Sequence, residues 1–319
     1  MVDILCLGEM LVEIMRAEVD VPHSVVGKQY LGPYPSGAPV IFISSAARMG
    51  SPANLTAGYI GVVGKDDFGK GLMDTLQEDQ VVLTGIRESP SHTGVAFNQY
   101  NSDGNRSFIF CAGAAGETSP EDVKKELFEG IKALHIMGSA LSISESSRDA
   151  CYKAVEIAKE VNPDVCISLD PNLRPEMLPL EEILHICKPI LEAATIILPS
   201  GEEAEMLAQV TGEIQACEKL LELYPQVEIV VLKQGKAGAT AITREATVEV
   251  PSYTVKEVDA TGAGDSFGGA FIVEHLLDKP LRECLSFANA VGALKVTHFG
   301  PIPRHSREEV EKFMEKSEE

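Results

Sequence analysis

The sequence predicts an α/β fold in which a doubly wound, mostly parallel sheet carries a small antiparallel sheet beside it. Short apolar runs alternate with amphipathic stretches over most of the 319 residues, the pattern of strands and helices in a parallel sheet. Two stretches, 9–31 and 91–111, break this alternation because they hold strand-like segments with no helix between them. They predict a separate small sheet.

The elements follow in order along the chain. Runs of apolar residues that end at glycine or at turn residues predict buried strands, at 4–8, 131–137, 165–170, 195–199 and 227–232. Small apolar or amphipathic stretches between them predict helices, at 38–49, 67–78, 145–161, 180–192, 202–209, 264–277, 281–296 and 306–316.

The stretch 91–111 predicts a β-hairpin, with Asp103-Gly104 as its turn, because Asp-Gly between alternating segments favours a tight hairpin. Together with 9–31 it would form a lid over the carboxyl ends of the parallel strands, where ligands bind in such sheets. Since the lid is discontinuous in sequence, we expect one domain over 1–319 with no linker.

Composition limits the classes of partner. The formal net charge of −21 argues against a nucleic-acid partner, which needs a basic face. It leaves room for a small anion such as ATP, which a local group of backbone amides and Mg²⁺ can hold. No apolar run is long enough to span a membrane, and the first residues lack the basic start of a signal peptide. The seven scattered cysteines are typical of buried thiols in a reducing compartment, so we expect a cytoplasmic protein.

The segment from Val258 to Phe267 reads VDATGAGDSF and opens a predicted helix. Gly262, Ala263 and Gly264 let the backbone approach a ligand, and amides at a helix start favour an anion. Asp265, in the first turn, could accept a proton from a hydroxyl while these amides hold a phosphoryl group. An ordinary strand-to-helix turn would have a similar pattern, but the flanking Asp259 and Thr261 favour the functional interpretation.

Two competing phosphate motifs are missing. The stretch GVVGKD at 61–66 does not match the P-loop pattern, and after the first strand only Gly8 is present where a dinucleotide fingerprint needs three glycines.

The 259–267 segment resembles the C-terminal signature of the ribokinase-like (PfkB) family of carbohydrate kinases. Further segments in the same order over almost the whole chain are similar to that family: GEMLVE at 8–13, SGAP at 36–39, GVVGKDDFG at 61–69, DPNLR at 170–174 and KQGKAGA at 233–239.

The resemblance implies transfer of the γ-phosphate of ATP, with Mg²⁺, to an exposed hydroxymethyl group of a sugar, and a dimer formed through the lid. It implies Asp265 as base and Gly262, Ala263 and Gly264 as anion hole. Sugar contacts fall on Glu13, Gly37, Ala38, Asp259 and Arg174, and a K⁺ site falls near Asp259. Nucleotide contacts fall on Thr261, Lys233, Gly235, Gly238 and Asn289, while Glu203 would position Mg²⁺ through water.

Four positions depart from the family. Glu13 replaces the usual Asp, and Ile41 replaces an Asn that contacts sugar hydroxyls, so other groups must supply those contacts. Ser200 replaces the Asn that precedes Glu203. Cys111 aligns with an Arg that pairs with the carboxylate of sugar-acid substrates, which favours a neutral sugar, and the 8–15 and 35–39 segments resemble ketohexose kinases of the tagatose-kinase kind.

Two alternatives stay open. One is a 2-keto-3-deoxygluconate or nucleoside kinase of the same fold, although Trp is absent and aromatic residues in the lid are few. The other is a sugar- or nucleotide-sensing protein without turnover, against which the intact Asp265 and Gly262–Gly264 segment argues.

Overall fold

The computed structural model describes residues 1–102, 106–175 and 177–318, so the predicted turn at Asp103-Gly104 lies outside the described residues. Over these ranges the chain forms a nine-stranded sheet, a four-stranded sheet and helices that cover the larger one. The predicted fold class is confirmed. None of the helices in these ranges is long and apolar enough to cross a membrane.

The large sheet has the spatial order β13-β12-β11-β10-β9-β8-β1-β4-β5. The strands from β11 to β5 run parallel, and β12 and β13 add an antiparallel edge. Their bounds are Ile4–Glu9 (β1), Ala57–Gly64 (β4), Val82–Ser89 (β5), Ala133–Met137 (β8), Cys166–Asp170 (β9), Ile196–Ile197 (β10), Ile229–Lys233 (β11), Ala239–Ile242 (β12) and Thr247–Val250 (β13).

The predicted helices lie close to their predicted positions, but other elements were not predicted. The sequence patterns missed β4, β5, β12 and β13, and also two helices, α3 and α7. The bounds are Ala38–Gly50 (α1), Asp67–Glu78 (α2), Gly138–Ser142 (α3), Glu145–Val161 (α4), Leu180–Leu191 (α5), Gly201–Ala208 (α6), Glu213–Leu223 (α7), Ala263–Leu276 (α8), Leu281–Lys295 (α9) and Arg307–Glu318 (α10).

The small sheet has the order β3-β2-β6-β7, with β2 Leu11–Arg16, β3 Tyr30–Ser36, β6 Gly94–Tyr100 and β7 Arg106–Cys111. Its outer pairs are antiparallel, as predicted, whereas β2 and β6 at its centre run parallel. A parallel central pair follows from the connection, since β2 reaches β6 only after the chain has passed through α1, β4, α2 and β5.

Hydrogen bonds to the Asp66 carboxylate connect the two sheets at the point where the chain leaves the large sheet. The carboxylate caps α2 by accepting from the Gly69 amide (2.9 Å), and it also accepts from the amide (2.8 Å) and hydroxyl (2.7 Å) of Thr93, just before β6. At Gly64 a β-carbon would lie 2.2 Å from the Thr93 nitrogen, so only glycine fits. The glycine-rich 61–69 motif therefore builds this joint.

Close packing of α1 against α8 positions the predicted anion hole. A β-carbon at Gly269 would lie 2.4 Å from the carbonyl oxygen of Phe42, and the Ser45 hydroxyl donates to the Ser266 carbonyl at 2.7 Å. Small residues on both helices allow this approach. The N-termini of α1 and α8 consequently lie beside the carboxyl ends of the parallel strands.

Candidate active site

A pocket with a volume of about 730 Å³ lies at the carboxyl ends of β9 and β11, under the N-terminus of α8. Its remaining wall comes from 252–257 and from α9. This is the position at which open α/β sheets bind ligands, and the volume is in the usual range for small-molecule and cofactor sites.

The first turn of α8 forms one wall of the pocket. Gly262 caps the helix with a φ of 75° in the left-handed region, and a β-carbon there would lie 2.4 Å from the Pro301 carbonyl oxygen, so the turn requires glycine. Ala263, Gly264 and Asp265 line the pocket. The Ala263 amide donates to the Ala260 carbonyl at 3.3 Å, which is a long hydrogen bond. Amides of a first helical turn therefore face the same space as the Asp265 carboxylate.

Lys233, the last residue of β11, forms an ion pair with Asp170 at the end of β9. The ammonium also lies near Gly264, since a β-carbon there would be 3.7 Å from its nitrogen. Burial lowers the pKa of Lys233, but the carboxylates of Asp170, Glu203 and Asp265 outweigh this and raise it overall. A fixed positive charge thus lies beside the predicted anion hole, where it would attract phosphate.

Both carboxylate oxygens of Glu203 accept hydrogen bonds from backbone amides. One oxygen accepts from the Leu173 amide (2.8 Å), and the other accepts from the amide (2.8 Å) and hydroxyl (2.6 Å) of Ser200, which forms the capping box of α6. Ser200, the departure from the family pattern, acts as a helix cap. Glu203 still lines the pocket, and its remaining lone pairs could accept from a metal-bound water.

Gly235, Gly238 and Asn289, for which nucleotide contacts are predicted, all line the pocket. Gly238 has a φ of 113°, and a β-carbon there would lie 2.1 Å from the Val250 carbonyl oxygen. The Asn289 amide donates to the carbonyls of Val250 (3.1 Å) and Pro251 (3.2 Å). Both residues therefore hold the 250–257 segment in place as the pocket wall.

Thr261 and Asp259 lie in the turn that precedes α8. Both are buried, and neither belongs to the wall of the large pocket as far as the chain is described. The amide (2.9 Å) and hydroxyl (2.7 Å) of Thr261 donate to Asp259 Oδ1, and Asp259 Oδ2 accepts from the Gly300 amide at 2.9 Å. Polar residues before a helix can hydrogen-bond the local backbone as well as a ligand. The hydrogen bonds of Thr261 and Asp259 stabilise the turn that precedes α8.

The predicted sugar contacts meet where the small sheet joins the large one. Glu13 on β2 accepts from the Ser36 hydroxyl at 2.9 Å. Gly37 has a φ of 110°, and a β-carbon there would lie 2.5 Å from the carbonyl oxygen of Glu9. Ala38 begins α1 directly after it. The glycine signature therefore brings the start of α1 against the end of β1.

Glu9, at the end of β1, was not predicted as a site residue. Its Oε1 accepts from the Ser139 hydroxyl at 2.7 Å, and its buried Oε2 has no hydrogen-bond partner among the described residues. Burial raises the pKa of Glu9 to about 7, against smaller lowering effects of Ser139 and the Arg174 guanidinium. Arg174 itself lines the large pocket. Glu9 thus contacts the predicted sugar region at Gly37 and interacts electrostatically with Arg174 of the large pocket.

A second cavity of about 330 Å³ lies under the small sheet. Leu11, Phe108 and Phe110 form its apolar wall, and Cys111 lines it at the position that the sequence aligned with an acid-binding Arg. All of the described residues that line it are uncharged. A carboxylate would find no cation in that wall.

Ile41 occupies the place predicted for the sugar-binding Asn of the family. It is 3% exposed, and a β-carbon at Gly262 would lie 3.0 Å from its Cγ2. Its side chain therefore packs against the turn that precedes α8.

Tyr100 and Lys295 were also missed. The Tyr100 hydroxyl donates to Asp259 Oδ1 at 2.6 Å and contacts the Thr261 hydroxyl. The Lys295 ammonium donates to the Asp259 carbonyl at 2.8 Å. Only one signal was available in the sequence, a single lysine in the otherwise apolar end of α9.

Comparison with known proteins agrees with this geometry. Residues 1–307 match the model of the pfkB family carbohydrate kinases. The chain is 32% identical to probable fructokinase-5 of Arabidopsis thaliana, over 94% of this chain and 93% of that protein. A putative ribokinase II from E. coli, solved in complex with ATP and Mg²⁺, is 38% identical with a TM-score of 0.90, over 99% of this chain and all of that one. A fructokinase with bound ATP from Xylella fastidiosa is 25% identical, with a TM-score of 0.83 and 99% of each chain covered. The chain therefore belongs to the pfkB family and is a carbohydrate kinase.

Proposed function

We propose that this kinase transfers the γ-phosphate of ATP to a primary hydroxyl group of fructose or a closely related neutral ketohexose. The observation that carries the proposal is the position of Asp265, in the first turn of α8, on the wall of the 730 Å³ pocket beside Gly264 and Lys233. A carboxylate, helix-start amides and a cation converge there, as phosphoryl transfer requires.

Asp265 is the general base. It accepts the proton of the attacking hydroxyl as that oxygen bonds to the γ-phosphorus, while the bond from the γ-phosphorus to the bridging oxygen breaks and ADP leaves. The amides of the Gly262–Gly264 turn stabilise the charge that develops on the phosphoryl oxygens, and the helix dipole adds to their effect. Lys233 neutralises part of the phosphate charge on the other side.

ATP occupies the large pocket, with its base toward the 250–257 segment and Asn289. The putative ribokinase II relative is described with ATP and Mg²⁺, which supports the same donor. Among the described residues no three Asp, Glu, His or Cys side chains lie close enough together to hold a metal ion, so Mg²⁺ would be held by the phosphates and by water, with Glu203 on the pocket wall accepting from a metal-bound water. The metal, when bound, would neutralise the negative charge on the phosphates.

The acceptor lies between Asp265 and the small sheet, near Glu13, Gly37 and Ala38. Relatives that are named fructokinases support a ketohexose. The uncharged wall around Cys111 favours a neutral sugar over a sugar acid. Arg174 lines the pocket and is the cation that would hold a carboxylate if the acid were the substrate.

The small sheet, built from the 9–31 and 91–111 regions, closes as a lid over the acceptor and excludes water. The small sheet exposes apolar residues, among them Leu31 and Ile109, which supports a homodimer formed through the lid. The seven cysteines are all unpaired, in accord with a reducing, cytoplasmic location. Light scattering of the purified protein would measure its oligomeric state, and a monomer would contradict the dimer.

The direct test is ADP release by the purified protein with MgATP and a panel of ketohexoses, aldoses, nucleosides and 2-keto-3-deoxygluconate. We expect turnover on fructose or a similar ketohexose and none on the acid. Turnover on the acid alone would contradict the assignment and point to Arg174. ATP binding without turnover on any acceptor would favour a sensing protein.

A further inference from the structure

Lys295, the last residue of α9, has no exposed surface and is one of the largest fully buried side chains of the protein. A fully buried lysine is rare unless its charge is paired, because removing an ammonium from water costs several kcal/mol. The catalytic steps proposed above make no use of it. Its partners should therefore show why the fold keeps a cation at this position.

The ammonium contacts Asp259 on two sides. It donates to the backbone carbonyl of Asp259 at 2.8 Å, and it lies 3.9 Å from the carboxylate oxygen Oδ2 of the same residue. Backbone bonds reinforce this connection, since the Val258 (2.7 Å) and Asp259 (3.1 Å) amides both donate to the Val296 carbonyl. The end of α9 is thus bound to the extended segment that leads into the anion hole.

The charge of Lys295 is balanced within the same turn. Burial raises the pKa of Asp259, but the charge of Lys295 and hydrogen bonds from Tyr100 and Thr261 outweigh this, and the pKa is lowered. Asp259 is therefore an anion. The Thr261 amide donates to the Asp259 carboxylate, and Gly262 follows Thr261 directly in the chain. The position of the Asp259 carboxylate therefore determines how the helix-start amides are oriented toward a phosphate.

The family resemblance places a K⁺ ion near Asp259, and the residues of this chain fit such an ion poorly. K⁺ needs several oxygen atoms as ligands, and the Asp259 carbonyl oxygen already accepts from an ammonium. A second cation beside a buried ammonium would be strongly repelled, since like charges in a protein interior interact at low effective dielectric. The chain supplies the positive charge covalently.

We propose that the Lys295 ammonium takes the place of the monovalent cation, so that this kinase holds its anion-hole turn in the active conformation without K⁺. Lys295 is a positioning residue, because it acts on the Gly262–Gly264 amides through Asp259 and Thr261. The proposal rests on the kinase function proposed above.

The first experiment compares rates of the wild-type enzyme in K⁺-free buffer and with increasing KCl, at ionic strength held constant with tetramethylammonium chloride. We expect the rate to change by less than about twofold, since a fixed ammonium already occupies the site. Stimulation by K⁺ of about tenfold or more would overturn the proposal. This experiment needs no variant and so does not depend on how well one folds.

The second experiment uses Lys295→Ala, which removes the ammonium and leaves space for a small cation. We expect its activity to fall at least about tenfold without K⁺ and to recover with K⁺ or NH₄⁺ but not with tetramethylammonium. The Lys295→Met variant fills the space without charge and should not recover. Recovery of both variants alike, or full activity of Lys295→Ala without added cation, would overturn the proposal. Lys312→Ala, at an exposed lysine of α10, should behave as wild type.

Thermal melting gives a readout that does not require the sugar. K⁺ should raise the melting temperature of Lys295→Ala above that in tetramethylammonium chloride and leave the wild type unchanged. A K⁺-specific rise in the wild type would overturn the proposal. If no sugar in the panel is phosphorylated, the proposed function fails while the melting data still decide the role of Lys295.

Discussion

The hydroxyl of Tyr100, on strand β6 of the small sheet, donates to Oδ1 of Asp259 at a distance of 2.6 Å. It also contacts the hydroxyl of Thr261. One side chain of the proposed lid therefore touches the turn that presents the anion hole. The small sheet and this turn are thus linked by direct contact.

Removing this contact should weaken catalysis without unfolding the enzyme. For Tyr100→Phe we expect kcat/KM for the sugar to fall about 5–30-fold, the equivalent of about 1–2 kcal/mol for a hydrogen bond to a carboxylate. The ratio of ATP hydrolysis to sugar phosphorylation should rise, because a loosely closed lid admits water. Steady-state kinetics with both products measured would check it.

The control for Tyr100→Phe is Tyr152→Phe. The Tyr152 hydroxyl donates to the Ile186 carbonyl at 2.8 Å between α4 and α5, so this variant loses a hydrogen bond of similar length that no lid residue makes. Its kinetics should match those of the wild type. Equal kinetic losses in both variants would show that Tyr100 contributes only to stability.

Asp265→Asn removes the proposed base and keeps the shape of the side chain. We expect kcat to fall by about 10²–10⁴-fold, the usual contribution of general base catalysis, while the affinity for ATP changes little. Calorimetric titration with an ATP analogue and single-turnover kinetics would separate binding from chemistry. Near-normal kcat would reject Asp265 as the base. Asp164→Asn, in an exposed loop, should have no effect.

The sequence predicted those parts of the site that depend on neighbouring residues. The start of α8 at the GAGD segment and the glycine at its cap follow from local backbone requirements, and the structure places them where they were expected. Asp66, within the glycine-rich 61–69 segment, likewise accepts from the amide of a near neighbour in sequence, Gly69.

The residues that were missed are far from their partners in sequence. Tyr100 meets Asp259 across 159 positions, and Lys295 meets it across 36. A pattern of apolar and polar residues shows which face of a strand or helix is buried, but it does not show what packs there.

Gly37 should be intolerant of any side chain. A β-carbon in Gly37→Ala would lie 2.5 Å from the Glu9 carbonyl oxygen in addition to the strain of a φ of 110°. We expect a loss of about 3 kcal/mol or more in the free energy of unfolding. At Gly27, φ is also positive, at 79°, but nothing lies within 4 Å of a β-carbon, so Gly27→Ala should lose only about 1 kcal/mol. Urea titrations of the two variants would measure the difference, and equal losses would show that backbone strain alone matters.

Glu9 should make the stability of the protein depend on pH near neutrality. Burial raises its pKa from the ordinary value of 4.5 to about 7, so the folded protein holds this proton more tightly than the unfolded chain does. The corresponding stabilisation is complete below pH 4.5 and is lost as the pH rises through 7. The loss should amount to about 3 kcal/mol between about pH 5 and pH 8.

Glu9→Gln removes this titration while it keeps an acceptor for the Ser139 hydroxyl. Other groups also contribute to the pH dependence of the wild type, so the quantity to compare is the slope of the unfolding free energy against pH, measured by urea titration. We expect the slope of Glu9→Gln to be shallower by up to one proton's contribution, about 1.4 kcal/mol per pH unit. Glu245→Gln, at an exposed position, should keep the wild-type slope. An unchanged slope in Glu9→Gln would mean that this carboxyl is already ionised in the folded protein, and Arg174 would then be the group that holds its charge.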